Sequence, residues 1–168
     1  MSENDASREI ERRFLVKARL LPSLGAGRRY EQAYLSADPE VRVRLIEDAN
    51  GFVTIKTPGG ITREEYEYAI PPQDARNLLR LTPWSVIAMT RYKLPLDGLI
   101  WEIDCYEGDN AGLWSAEVEF ESEDVAVALP AWLAAEVTEE RRFNNVNLAH
   151  QPVSTWPDRE RILAIVSS

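Results

Sequence analysis

The sequence holds a single cysteine, Cys105, and a single histidine, His150. One cysteine leaves no partner for an internal disulfide, and Cys105 reads as a space-filling residue. One histidine rules out a histidine-built metal site and a Ser-His-Asp triad. No apolar run reaches the ~20 residues of a membrane-spanning helix. Met1 to Arg8 is polar and acidic, unlike a signal peptide, so the expected location is cytoplasmic. Neither a Gly-x-x-x-x-Gly-Lys loop nor a Gly-x-Gly-x-x-Gly fingerprint occurs, so phosphate binding at a helix N-terminus is not expected. Positive charge is scarce: 19 Lys and Arg stand against 28 Asp and Glu, a net charge of −9. That balance argues against nucleic acid and anionic membranes as partners. It leaves room for a small anion, because a local cluster of Arg and Lys can overrule the global sign.

What is present points to strands. The chain of 168 residues suits one well-cored domain spanning 1–168, and no linker or low-complexity stretch divides it. Asn50-Gly51, Gly59-Gly60 and Asp97-Gly98 read as tight hairpin turns, Gly108 to Gly112 as a longer one, and Asp38-Pro39 as another. Between them lie strand candidates at 9–16, 29–36, 40–47, 52–57, 61–70, 86–95, 99–107 and 113–121. Short connections predict an antiparallel meander, and its strand number suits a closed eight-stranded barrel with room for one small ligand. Helices are expected at 17–25, 72–81, 123–129, 139–149 and 157–166. The fold class is α+β, mainly β.

The strands carry like-charged pairs at i,i+2: Glu9 and Glu11, Arg42 and Arg44, Glu65 and Glu67, Arg91 and Lys93, Glu102 and Asp104, Glu117 and Glu119. Every second side chain of a strand shares a face, so each pair lies roughly 6–7 Å apart on one side. The intervening residues are mostly apolar. One reading is a half-buried sheet with its charges in water. The other places the charges inside a barrel, its apolar outer face covered by helices, with a homodimer as a further cover. Constant sign within each pair favours the second reading, since a solvated face usually mixes signs. Unpaired charges in a lumen must keep water and counter-ions. Clustered carboxylates suit a divalent metal and clustered Arg and Lys suit a polyanion, so a metal-bound polyphosphate satisfies both. On the residues alone, both readings stand.

The same residues resemble the CYTH superfamily, the triphosphate tunnel metalloenzymes. Its Glu-x-Glu-x-Lys signature is matched by Glu9, Glu11 and Arg13, with Arg in place of the final Lys. Gln32-Ala33-Tyr34-Leu35, Arg42-x-Arg44, Lys56, Glu65-x-Glu67, Arg91-x-Lys93, Trp101 to Asp104, Ala116 to Phe120 and Glu136 to Ala149 follow in order. The resemblance covers about residues 8–149 and leaves the helix at 157–166 outside it. It implies an eight-stranded tunnel that binds triphosphates with Mg²⁺ or Mn²⁺, most like the short bacterial inorganic triphosphatases. Thiamine triphosphatases and class IV adenylate cyclases are relatives, and a non-catalytic polyphosphate or nucleotide sensor is the alternative from another class. The implied metal ligands are Glu9, Glu11, Asp104, Glu117 and Glu119. Arg13, Arg42, Arg44, Lys56, Arg91, Lys93 and Arg142 are implied to bind phosphate. Glu65 and Glu67, with Arg13, are assigned to catalysis, the two acids by orienting water or holding a second metal. The expected partner is a small anionic triphosphate, with neither nucleic acid nor membrane.

Overall fold

Alternation of apolar and charged side chains draws most of the chain into strands. The computed structural model describes residues 10–57, 64–120 and 128–168. Its strands are β1 (Ile10–Val16), β2 (Arg28–Ala37), β3 (Glu40–Ile46), β4 (Asn50–Lys56), β5 (Glu65–Ile70), β6 (Ile87–Leu96), β7 (Leu99–Tyr106), β8 (Trp114–Phe120) and β9 (Leu133–Glu136). The helices are α1 (Pro72–Leu79), α2 (Asn145–His150) and α3 (Arg159–Ser167). The helix expected at 17–25 is a single 3-10 turn, Ala18–Leu20, and that at 139–149 divides into a 3-10 turn, Arg141–Phe143, and α2. Most of the helix expected at 123–129 lies outside the described residues, as do Glu9 and the Gly59-Gly60 turn.

All pairings are antiparallel, in the order β5-β4-β3-β2-β6-β7-β8-β1-β9. The first and last of the expected strands meet, with Glu11 opposite Glu119 and Arg13 opposite Glu117. Closure does not follow. Among the described residues the sheet is open and nine-stranded, not a closed eight-stranded barrel. β9 takes the free edge of β1 through Phe14–Glu136 and Val16–Leu133, while β5 pairs, among the described residues, with β4 alone. The chain is also two meanders, β2–β5 and β6–β8, and not one. A ladder from Arg28–Arg91 to Gln32–Ile87 joins them.

The turn before β4 falls earlier than Asn50-Gly51. Glu47 and Asp48 carry the positive φ values, 55° and 54°, and Asn50 and Gly51 already belong to β4. Gly51 answers to packing instead: a Cβ there would lie 2.9 Å from Ala75 Cβ and 2.9 Å from the Ile70 carbonyl. Its bareness lets α1 settle on the back of β3 and β4, where Ala75 and Leu79 join Val43 and Leu45. Asp97-Gly98 is the tight turn expected, both residues having positive φ.

The sheet curls so that side chains from β1, β3, β4, β5, β6, β7 and β8 line one cavity. Behind it, on the convex face, Phe14, Val16, Trp101, Ile103, Ala116 and Val118 pack with Trp132, Leu21 and Leu24. On the concave face a second apolar cluster fills one end: Leu15, Tyr30, Tyr34, Ile87, Met89, Tyr106 and Leu113. Phe143 of the 3-10 turn before α2, Leu148 of α2, Val153 of a 3-10 turn at Val153–Thr155, Trp156 just after it and Ile162 of α3 cap it.

Candidate functional site

Beyond that apolar plug the same strands turn polar, and the cavity has a volume of about 780 Å³. Strand parity carries Glu11, Arg42, Arg44, Lys56, Glu65, Arg91, Lys93, Glu102, Glu117 and Glu119 to its lining. The charged face is therefore the inner one.

Sign divides the lining into walls. β1, β7 and β8 supply an acidic wall, where Glu11 stands opposite Glu119 and Glu102 opposite Glu117. Like charges directly opposite destabilise a sheet. Burial, and then the charge of Glu117, hold the Glu11 carboxyl above the usual carboxylate range. Arg13 relieves part of this strain. It donates from Nε to Glu117 Oε1 at 2.8 Å, from Nη2 to Glu11 Oε1 at 3.1 Å, and from Nη1 to Asn144 Oδ1. Burial works against its charge, but Glu117 and Glu11 outweigh burial and raise its pKa.

β6 forms the seam between the signs. Arg91 donates from Nε and Nη2 to both oxygens of Asp104, at 2.7 and 2.8 Å, and Nη1 lies 2.9 Å from Glu102. Burial opposes the Arg91 charge, yet Asp104 more than offsets it and holds the guanidinium firmly protonated. Lys93 pairs with Glu102 at 3.5 Å.

β3 is different. Among the described residues neither Arg42 nor Arg44 has an acidic partner. Arg44 Nε donates to Gln32 Oε1 at 3.1 Å, Arg42 Nη2 reaches Thr54 Oγ1 at 3.4 Å, and Arg42 Nε is buried with no partner. Burial, then the neighbouring Arg42 and Arg91, push Arg44 down to about 10. A half-buried cation pair without an acidic partner among the described residues, in a chain of net charge −9, is a site short of an anion. On the neighbouring strands Lys56 lies 3.6 Å from Glu65, and Glu67 accepts from Thr54 Oγ1 at 3.1 Å.

The CYTH domain model matches residues 7–149. The chain belongs to the CYTH family. It is 39% identical over 155 residues to an inorganic triphosphatase of Acetivibrio thermocellus, covering 90% of this chain and 99% of that protein. It is also 39% identical over 147 residues to an inorganic triphosphatase of Nitrosomonas europaea, covering 84% of this chain and 96% of that one. The crystal structure of the inorganic triphosphatase NE1496 superposes with a TM-score of 0.70 at 35% identity, over 84% of this chain and 93% of that chain.

Among the described residues, Glu11, Arg42, Arg44, Lys56, Glu65, Arg91, Lys93, Glu117 and Glu119 of the expected site thus line one cavity, while Asp104, Arg13, Arg142 and Glu67, the last bonded to Thr54, are set apart from the lining. Asp104 is 1% exposed and committed to Arg91, and Glu102, two residues before it, faces the cavity in its place. Arg13 lies beneath the acidic wall, bonded to its carboxylates. Arg142 stands on the cap, 3.0 Å from Asp158 and with its guanidinium carbon 4.5 Å from the Trp156 ring centroid. The sequence reading missed Tyr30 and gave Gln32 no role. Their signal was parity on β2, which places Tyr30, Gln32 and Tyr34 on the face that carries Arg44 and Arg91.

The acidic wall suits a hard divalent cation by its chemistry, since it offers carboxylate oxygens of like charge on adjacent strands. Among the described residues no three such side chains already converge at ligating distance, and Glu9 lies outside them.

Proposed function

We propose that this CYTH chain is an inorganic triphosphatase that hydrolyses the terminal phosphoanhydride of tripolyphosphate within the charged cavity. The observation that carries this is the Arg42–Arg44 pair, without an acidic partner among the described residues, facing an acidic wall across one cavity of about 780 Å³. Names of relatives that cover nearly the whole chain support it.

Arg42, Arg44 and Lys56 grip the phosphate chain from one side, and Arg91 and Lys93 from the seam, the arginines able to bond oxygens in pairs. Glu11, Glu117 and Glu119, with Glu9, would hold Mg²⁺ or Mn²⁺. Asp104 lends its charge through Arg91, and Glu102 lies on the same wall. The cation, when bound, supplies charge neutralisation at the phosphoryl oxygens. Arg13 keeps Glu11 and Glu117 in place beneath the reacting phosphate. Glu65 or Glu67 orients the attacking water, whose oxygen bonds to the terminal phosphorus as the bridging P–O bond breaks, giving orthophosphate and pyrophosphate. Arg142 supports the cap and reaches phosphate only through it. The cap, including Ile162 of α3, belongs to the same apolar cluster as β1 and β6, so the chain acts as one unit.

Release of phosphate from inorganic triphosphate, thiamine triphosphate and ATP, each with Mg²⁺ and Mn²⁺, tests the reading. Fastest release from inorganic triphosphate, lost in Glu11→Ala, is expected. Tight binding of all three without turnover would instead make the protein a sensor. Cyclic AMP with pyrophosphate from ATP would make it a cyclase.

A further inference from the structure

Arg44 and Arg91 approach each other from strands on either side of β2, and between them stands Tyr30. The Arg44 guanidinium carbon lies 5.5 Å from the Tyr30 ring centroid and that of Arg91 5.4 Å. Both distances fall within cation–π range. Tyr30 is buried at 7% exposure, so these contacts are largely shielded from water.

The two cations differ in what else supports them. Arg91 has Asp104 and Glu102. Arg44 has the neutral amide oxygen of Gln32, itself fully buried, and the ring. We propose that Tyr30 is a positioning residue of the anion site, whose ring holds Arg44 charged and aimed beside Arg91 while leaving its hydrogen-bond donors to the phosphate. The chemistry of the position explains why a ring serves there. A carboxylate would neutralise Arg44 and compete with substrate for it. An aliphatic side chain would leave two like charges facing each other across apolar surface. An aromatic face attracts a cation by its quadrupole yet accepts no conventional hydrogen bond in the ring plane. The inner positions of β2 fit this need, since Tyr30, Gln32 and Tyr34 are all uncharged.

The proposal rests on the triphosphatase reading for its substrate but not for its physics. The test replaces Tyr30 with phenylalanine, then with mono-, di- and trifluorinated phenylalanine, and with leucine, in the full chain. Fluorination drains the ring face at nearly constant shape, so a merely space-filling role would not respond to it. The measurements are kcat and KM for inorganic triphosphate, calorimetric binding of tripolyphosphate without added metal, and the urea midpoint. Tyr30→Phe should stay within about twofold of wild type. Affinity should then fall stepwise to about tenfold weaker in the trifluorinated protein, with the urea midpoint falling far less than in Tyr30→Leu. Equal affinity across the fluorinated series would overturn the proposal, as would a loss in Tyr30→Phe as large as in Tyr30→Leu. The fluorinated proteins decide the matter even if Tyr30→Leu does not fold. Wild-type protein that binds tripolyphosphate but releases no phosphate with any metal would sink the triphosphatase reading alone, and the binding series would still judge Tyr30.

Discussion

On the arm built from β6, β7, β8 and β1, the half-buried arginines meet acids: Arg91 bonds Asp104 and Glu102, and Arg13 bonds Glu117 and Glu11. On the arm built from β3 and β4, Arg42 and Arg44 meet a threonine, a glutamine and a ring. Both arms use the same strand parity and the same residue types. What separates them is whether counter-charge comes from the chain or must come from outside. A self-paired arm holds its shape without ligand. An unpaired arm carries a standing electrostatic deficit that an anion removes, so binding energy concentrates there.

The comparison can be broken first at Arg91. Arg91→Met leaves Asp104 buried without its partner and should cost about 3–5 kcal/mol of stability, read from urea unfolding. Arg44→Gln should behave in the opposite way. Its kcat/KM for triphosphate should fall about 10²–10³-fold while the urea midpoint holds or rises, because a half-buried charge without an acidic partner has been removed. If Arg44→Gln lost as much stability as Arg91→Met, the two arms would not differ as described. Gly51→Ala tests the backing of the unpaired arm, since the new methyl meets α1 and the Ile70 carbonyl. A loss of about 1–3 kcal/mol is expected, with triphosphate affinity weakening as β3 and β4 shift.

The smallest effect is one of pH. The native Glu11 carboxyl is held above its usual range by burial and by Glu117, so the folded chain takes up this proton before the unfolded chain does. The favourable contribution is complete below the unfolded carboxylate pKa of about 4.3 and is lost as pH rises through the native value. Metal-free Glu11→Gln should therefore unfold slightly later than wild type at neutral pH, and the gap should close in acid. A thermal melt series across that range, with and without Mg²⁺, measures it.

The strands β1 to β8 were legible because alternation of charge and apolar side chains is a local signal that burial on both faces leaves intact. The walls were legible for the same reason: Glu11 with Glu119, or Arg42 with Arg44, follow from period two. β9 was not. Leu133-Ala134-Ala135-Glu136 shows no alternation, and its pairing with β1 depends on residues more than a hundred positions away. Closure failed as an expectation at both edges: β9 covers β1, and β5, among the described residues, pairs with β4 alone. Asn50-Gly51 misled because a glycine can serve a turn or a close contact, and here the contact with α1 decides. Asp104 and Glu102 share a face, so parity could not tell which is swallowed by Arg91 and which faces the cavity. Tyr30 carries no charge, and its meaning appears only when β3 and β6 flank β2.

The order of the strands also bears on how the molecule comes into being. Each meander is joined by near neighbours in sequence, and such contacts form early and fast. The acidic wall has no such shortcut. Glu11 meets Glu119 only when β1 finds β8, more than a hundred residues along the chain, the kind of long closure that folds slowly. A nascent chain therefore displays its basic strands before its acidic ones are assembled, and the capacity to hold a divalent cation arrives with the last long-range ladder. Refolding followed by metal binding should lag behind refolding followed by β-sheet signal, and that lag is the kinetic imprint of a wall whose neighbouring strands lie far apart in the sequence.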